Sequence, residues 1–170
     1  MDTGKMVKRV LVVDDQATAR QVMSAILSDH GHVDVAETGE QAVGMVAEAL
    51  ADGWPYDLVC MDISMPGLVS GDKAVRCIRS HEERLQVVNP VPIVMVSASD
   101  NMSSFVQSLG LTGADAYLVK PFDFAQIQDV IQRYLYKHVP VNRGALRERV
   151  EKERASRTMA RIKRVVEGMR

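Results

Sequence analysis

Five side chains in this 170-residue sequence have the types that phosphoryl chemistry asks for, and they fall at comparable places. Asp14 and Asp15 follow an apolar run at 10–13, and Asp62 follows one at 58–61. Ser97 closes a run at 91–96, and Lys120 closes one at 116–119. If those runs are neighbouring strands, three carboxylates, a hydroxyl and an ammonium meet at one edge. Three carboxylates a few ångströms apart repel one another strongly at a protein-like dielectric. Lys120 offsets one charge. A hard divalent cation with oxygen ligands offsets the rest, and Mg²⁺ is the usual ion where phosphate is handled. A carboxylate held beside such cations attacks a phosphoryl group and becomes an aspartyl phosphate. The cations neutralise charge on the equatorial oxygens, so positioning and electrostatics supply the catalysis. Asp62, central in the sequence of strands, is the candidate nucleophile. Asp14 and Asp15 are the candidate metal ligands, with the Ser64 backbone carbonyl completing the shell. Ser97 and Lys120 are the candidate partners of the phosphoryl oxygens. Each residue also has a bland reading: Asp14 and Asp15 as a helix cap, Asp62 as a turn residue before Met65 and Pro66. The set of five favours the chemical reading.

The elements that must position them follow from the hydrophobic pattern. Strands are predicted at 10–13, 33–35, 58–61, 91–96 and 116–119, with Pro92 acceptable only at a strand's start. Helices are predicted at 17–27, 39–50, 74–85, 100–109 and 122–136, each with an apolar face at helical spacing. Five β-α repeats imply a parallel sheet covered on both faces, with right-handed crossovers. Such a doubly wound sheet binds its ligand past the carboxyl ends of the strands. Residues 79–90 make a long connection into the fourth strand, expected to be a surface extension.

Composition is that of a soluble domain, with 46% apolar and 25% charged residues. No run of about 18 apolar residues is present, so no membrane span is expected. The N-terminus carries no secretory leader pattern. Cys60 and Cys77 show no metal spacing and are expected as small core residues in a reducing cytoplasm. Trp54 and Tyr56 are expected in the core or at its rim, and the four histidines on the surface. The net charge of −1 hides an asymmetry: residues 139–170 hold ten Lys/Arg against four Asp/Glu, which leaves residues 1–138 at −7. An acidic body argues against nucleic-acid binding. With no phosphate-cradling glycine loop, a nucleotide-binding reading loses its main support.

Four motifs, VLVVDDQ at 10–16, LVCMDISMP at 58–66, VMVSA at 94–98 and AYLVKPF at 116–122, resemble the response-regulator receiver family of two-component signalling. The resemblance covers residues 8–137. It implies a flavodoxin-like α/β fold with strand order 2-1-3-4-5, and phosphorylation of Asp62 with Mg²⁺ by a histidine kinase or phosphotransfer protein. It implies a cis bond between Lys120 and Pro121. Ser97 and Tyr117 become the switch pair, and the signal leaves through the predicted fourth helix, fifth strand and fifth helix toward an output partner. The sequence departs from the family in the loop after Asp62, one residue longer before Gly71. The chain then reads as a receiver, 1–138, followed by a basic helical extension or linker, 139–170. The tail has three readings: a docking or dimerising helix, a linker to an output domain that lies elsewhere, or a basic end, 154–164, that contacts acidic protein, nucleic acid or membrane. Two rivals stand beside the switch. A phosphatase of another aspartyl-phosphate class wants an acid two residues after the nucleophile, where Ser64 stands. A pseudo-receiver scaffold would not need Asp15, Asp62, Ser97 and Lys120 together.

Overall fold

A computed structural model describes residues 7–98, 113–137 and 143–167. The strands are β1 (Lys8–Val13), β2 (Gly31–Ala36), β3 (Leu58–Asp62), β4 (Ile93–Ala98) and β5 (Ala116–Lys120). The helices are α1 (Ala17–Ser28), α2 (Gly39–Ala51), α3 (Gly71–Arg84), α4 (Phe124–Val130) and α5 (Arg143–Glu167), and α4 runs on as a π-helical stretch, Ile131–Tyr136. The predicted helix at 100–109 lies outside the described residues. All strand pairs are parallel and the order is β2-β1-β3-β4-β5.

Strand alternation sorts the core into two layers. Leu11, Val13, Val59, Met61, Ile93 and Met95 pack against α2 and α3. Val10, Val12, Leu58, Cys60, Val94 and Val96 pack against α1, α4 and its π-helical continuation. The two cysteines part company: Cys60 is buried, its thiol pushed up to about 12 by burial, whereas Cys77 is exposed on α3, which corrects the expectation of two core cysteines. The fourth strand begins two residues later than predicted. Pro92 stands just before it, its carbonyl accepting from Val59 N at 2.9 Å.

The connection into β4 runs over the surface only in its second part, residues 85–90, where Val88 is 77% exposed; its first part is helix and carries a buried charge. Glu82, 2% exposed, accepts from the Val91 N–H at 2.6 Å and from Arg79 Nη1 at 2.6 Å. Arg79 also donates to the carbonyls of Val91 and Gly113 and to Asp115 Oδ2, each at 2.8 Å. Helix α3 therefore persists to Arg84, and a buried charge closes the segment. The tail is helical as expected, and its first two turns join the body: Leu146 and Val150 are buried in the α2–α3 layer. Gly53, at φ +68°, makes room: a Cβ there would fall on the Arg147 side chain.

At the other edge of the sheet, Arg9 stacks on Tyr56 at 4.3 Å and pairs with Asp34 at 2.9 Å, while the Tyr56 hydroxyl donates to the same Asp34 oxygen at 2.9 Å. Burial works to raise the Asp34 pKa, but the Tyr56 and Arg9 hydrogen bonds outweigh it and hold the carboxyl below its ordinary 3.8. A carboxyl depressed by folding contributes stability above its unfolded pKa and loses it as pH falls through the folded value. Asp34→Asn is therefore expected to lower the urea midpoint at neutral pH and to match wild type once pH lies well below 3.8. A gap that persisted in acid would show that the Arg9–Asp34 charge is not its source.

Candidate functional site

The acid-bearing strand ends are positioned by the same alternation. Asp14 shares its side of the sheet with Val10 and Val12, Asp62 with Leu58 and Cys60, and Lys120 with Leu118. These three side chains meet. The Lys120 ammonium bonds Asp14 Oδ2 at 2.6 Å and Asp62 Oδ1 at 2.8 Å, so one cation bridges the ends of three strands. Asp14 is 5% and Asp62 6% exposed, and the lysine side chain is about a quarter exposed. The other oxygen of each carboxylate is held as well. Asp14 Oδ1 accepts from Gln16 N at 2.9 Å and Asp62 Oδ2 from Ser64 N at 2.9 Å.

These contacts fix the electrostatics. Burial pushes the Asp62 carboxyl above the ordinary carboxylate range. The Lys120 hydrogen bond and charge oppose that rise, and the neighbouring Asp14 charge adds to it. Burial works to lower the Lys120 pKa, but its bonds to Asp14 and Asp62 prevail and raise it. Two carboxylates with one ammonium leave a net negative, all-oxygen donor set, the kind a hard dication completes.

The remaining candidates separate from this triad. Asp15 stands exposed at the rim. Among the described residues no three His, Cys, Asp or Glu side chains converge as a ready-made metal cage. Ser97 is buried, its hydroxyl donating to the Ala98 carbonyl at 2.9 Å. By alternation it lies on the opposite side of the sheet from Asp62, with Met95. Tyr117, paired in register with Met95, is half-buried against that same layer. Two switch candidates thus share one face while the charged triad holds the other. The Lys120–Pro121 bond is cis.

Sequence reasoning missed two supports. Arg20 on α1 reaches back to the carbonyls of Asp14 at 2.7 Å and Asp15 at 3.0 Å and pairs with Glu37, fixing the loop that carries both acids. Its signal was a cation in the first turn of a helix, where the macrodipole disfavours one. Glu40 on α2 accepts from the N–H groups of Leu68 and Val69 at 3.1 and 3.0 Å, clamping the lengthened loop beside Asp62. Between α1 and the β5–α4 connection lies a largely apolar cavity of about 330 Å³, lined by Val22, Met23, Cys60, Val96 and Phe122, with Asp14 and Lys120 at its edge.

A family model, the response regulator receiver domain, matches residues 10–132. This chain belongs to the response regulator receiver family. The phosphate regulon transcriptional regulatory protein PhoB of Escherichia coli is 34% identical over 133 residues, 75% of this chain and 53% of that protein. The chain spans 25% of the length of the regulatory protein AtoC of Escherichia coli and 53% of PhoB. Among solved structures, the receiver domain of sensor histidine kinase PA1611 from Pseudomonas aeruginosa, with magnesium coordinated in its active-site cleft, is 29% identical at TM-score 0.62. That match covers 76% of this chain and 98% of that one. The co-crystal of the phosphotransfer protein Ypd1 with the receiver of Ssk1 from Saccharomyces cerevisiae matches at 26% identity and TM-score 0.65, covering 76% and 89%. The family is a two-component signalling switch, the fold and strand order agree with the sequence expectation, and no described helix is long and apolar enough to cross a membrane.

Proposed function

We propose that the receiver is phosphorylated on Asp62 and that the new phosphoryl group re-sets its β5 face for an output partner. The observation that carries the reading is the Lys120 ammonium bridging two buried carboxylates at the strand ends. Asp62 attacks the phosphorus of a phosphohistidine on a kinase or phosphotransfer protein. The donor's P–N bond breaks as the O–P bond forms, and the imidazole leaves with the electron pair. Asp14, Asp15, Asp62 and the Ser64 carbonyl would hold Mg²⁺. Bound there, the ion would offset charge on the phosphoryl oxygens. Lys120 exchanges its bond to Asp62 for one to a phosphoryl oxygen. Ser97 leaves the Ala98 carbonyl to donate to another, and Tyr117 on the same face turns inward, a shift between two packings. Arg20 and Glu40 keep the flanking loops in place. The apolar cavity beside Lys120 suits side chains of a docking donor, and the free thiol of Cys77 suits a reducing, cytoplasmic setting.

Incubation with Mg²⁺ and a small acyl-phosphate donor, read by intact mass, tests this. Wild type is expected to gain one phosphoryl group and Asp62→Ala none. A modified Asp62→Ala protein would put the acceptor at another residue, and an unmodified wild type would leave the pseudo-receiver reading in its place.

A further inference from the structure

We propose that α5 carries an interface for a second copy of this chain, on the side of the helix that faces away from its own receiver. The argument starts from the two sides of one helix. At 3.6 residues per turn each residue advances about 100°. Leu146 and Val150, the pair buried against α2 and α3, set the inward direction. Arg154, Arg157, Arg161 and Arg164 fall within about 80° of Leu146, so the inward side continues as arginines once the apolar contact ends. The first two stay with the body. Arg154 donates to the Ala51 carbonyl at 3.2 Å and lies 4.0 Å from Asp52. Arg157 lines a hollow with Ala47, His81 and Arg84. A basic stripe held along a body of charge −7 is electrostatically consistent.

The apolar positions fall on the other side. Ala155, Met159, Ile162 and Val166 lie about 160° to 220° around from Leu146. Their spacing is 4, 3 and 4, the period of a two-helix seam. No charged residue interrupts these positions. Before residue 155 the same side carries Glu148, Glu151 and Lys152, so the seam opens only where the helix leaves the body. Met159 is 66% exposed.

A second copy suits this surface better than another occupant. Because docked side and seam are about 180° apart, a two-fold axis along the seam places the two receivers on opposite outer flanks, where they do not collide. The arginines sit in the outward positions of both helices, which removes like charge from the contact. An acidic partner would read the arginine side, where Arg154 and Arg157 already lie against the body. A membrane would need aromatic or Leu-rich apolar positions that this stripe lacks. The seam spans only about 20 Å along the helix over residues 155–167, so the pair is a weak one that responds to concentration.

The proposal does not rest on aspartate chemistry, and Asp62→Ala is expected to associate as wild type does. Sedimentation of the full chain across a concentration series tests it. Wild type is expected to shift from monomer to dimer as concentration rises. Met159→Glu is expected to stay monomeric with unchanged melting, and Ala155→Leu to tighten association by about tenfold as it fills the seam. In a Cys77→Ser background, Ala155→Cys is expected to form an inter-chain disulfide and Arg157→Cys not to. A wild type that is monomeric throughout would overturn the proposal. So would equal association by Met159→Glu, or capture on phosphatidylserine vesicles without self-association.

Discussion

Lys120→Ala is expected to slow phosphorylation of Asp62 by a small phosphodonor by about 10²- to 10³-fold while leaving Mg²⁺ binding as tight as in wild type or tighter. Both halves come from one geometry. The ammonium lies 2.6 Å from Asp14 and 2.8 Å from Asp62, and among the described residues the backbone N–H groups of Gln16 and Ser64 hold the other oxygens of those two acids. In transfer, the lysine is the preorganised cation for the incoming phosphoryl oxygens, and loss of one such donor costs about this much in rate. In ion binding it is a competitor, because it occupies carboxylate oxygens that a metal would use. Stopped-flow or mass measurement of the phosphorylation rate gives the first quantity and Mg²⁺ titration the second. A variant that merely unfolded would lose both. Equal loss of rate and of Mg²⁺ affinity would mean that Lys120 only holds the site together. Lys120→Arg separates charge from shape, since a planar guanidinium does not reproduce an ammonium's approach to two oxygens.

That site was legible in the sequence because strands of a parallel sheet end on one edge, so acids and cations closing successive apolar runs are brought together whatever lies between them. Asp14, Asp62 and Lys120 needed no more than that. The alternation within each strand was equally present, yet sequence reasoning placed all five residues on one edge without asking which side each faced. It is the side that divides Ser97 and Tyr117 from the charged triad. What pattern reading could not supply were the long-range polar contacts. Glu82 falls within the stretch 79–90 expected at the surface, because no local spacing announces a carboxylate that bonds an N–H nine residues on. Glu40 acts on a loop almost thirty residues away, which only tertiary packing reveals, while Arg20 left no more signal than a cation in the first turn of its helix. The tail helix was readable as a helix from composition, but the body's grip on it runs through Gly53, whose role depends on a positive φ and on the neighbour that fills the vacant Cβ position.

The second large effect is expected at one of these unreadable residues. Arg79→Ala should destabilise the full chain by about 3–5 kcal/mol, the usual cost of removing one partner from a buried pair. Glu82 would keep only the Val91 N–H, and the carbonyls of Val91 and Gly113 would each lose a donor. Burial pushes the Glu82 carboxyl up even in wild type, with the Arg79 charge opposing it. A carboxyl whose folded pKa lies above its unfolded 4.5 favours folding most below that value and loses the benefit as pH rises through the folded one. Without Arg79 the folded value rises further, so the deficit is expected to be larger at neutral pH than near 4.5. Urea titrations at the two pH values measure it, and a deficit below about 1 kcal/mol would place the pair in the class of surface ion pairs. Arg79→Met with Glu82→Met is expected to recover much of the loss, since replacing both charges removes the stranded one. The reach of this pair is structural. Val91 leads into β4 and Asp115 into β5, so a single side chain of α3 pins the starting ends of the two strands whose far ends present Ser97 and Lys120. Arg79→Ala is therefore expected to lower the fraction of folded protein far more than the phosphorylation rate of the protein that remains folded.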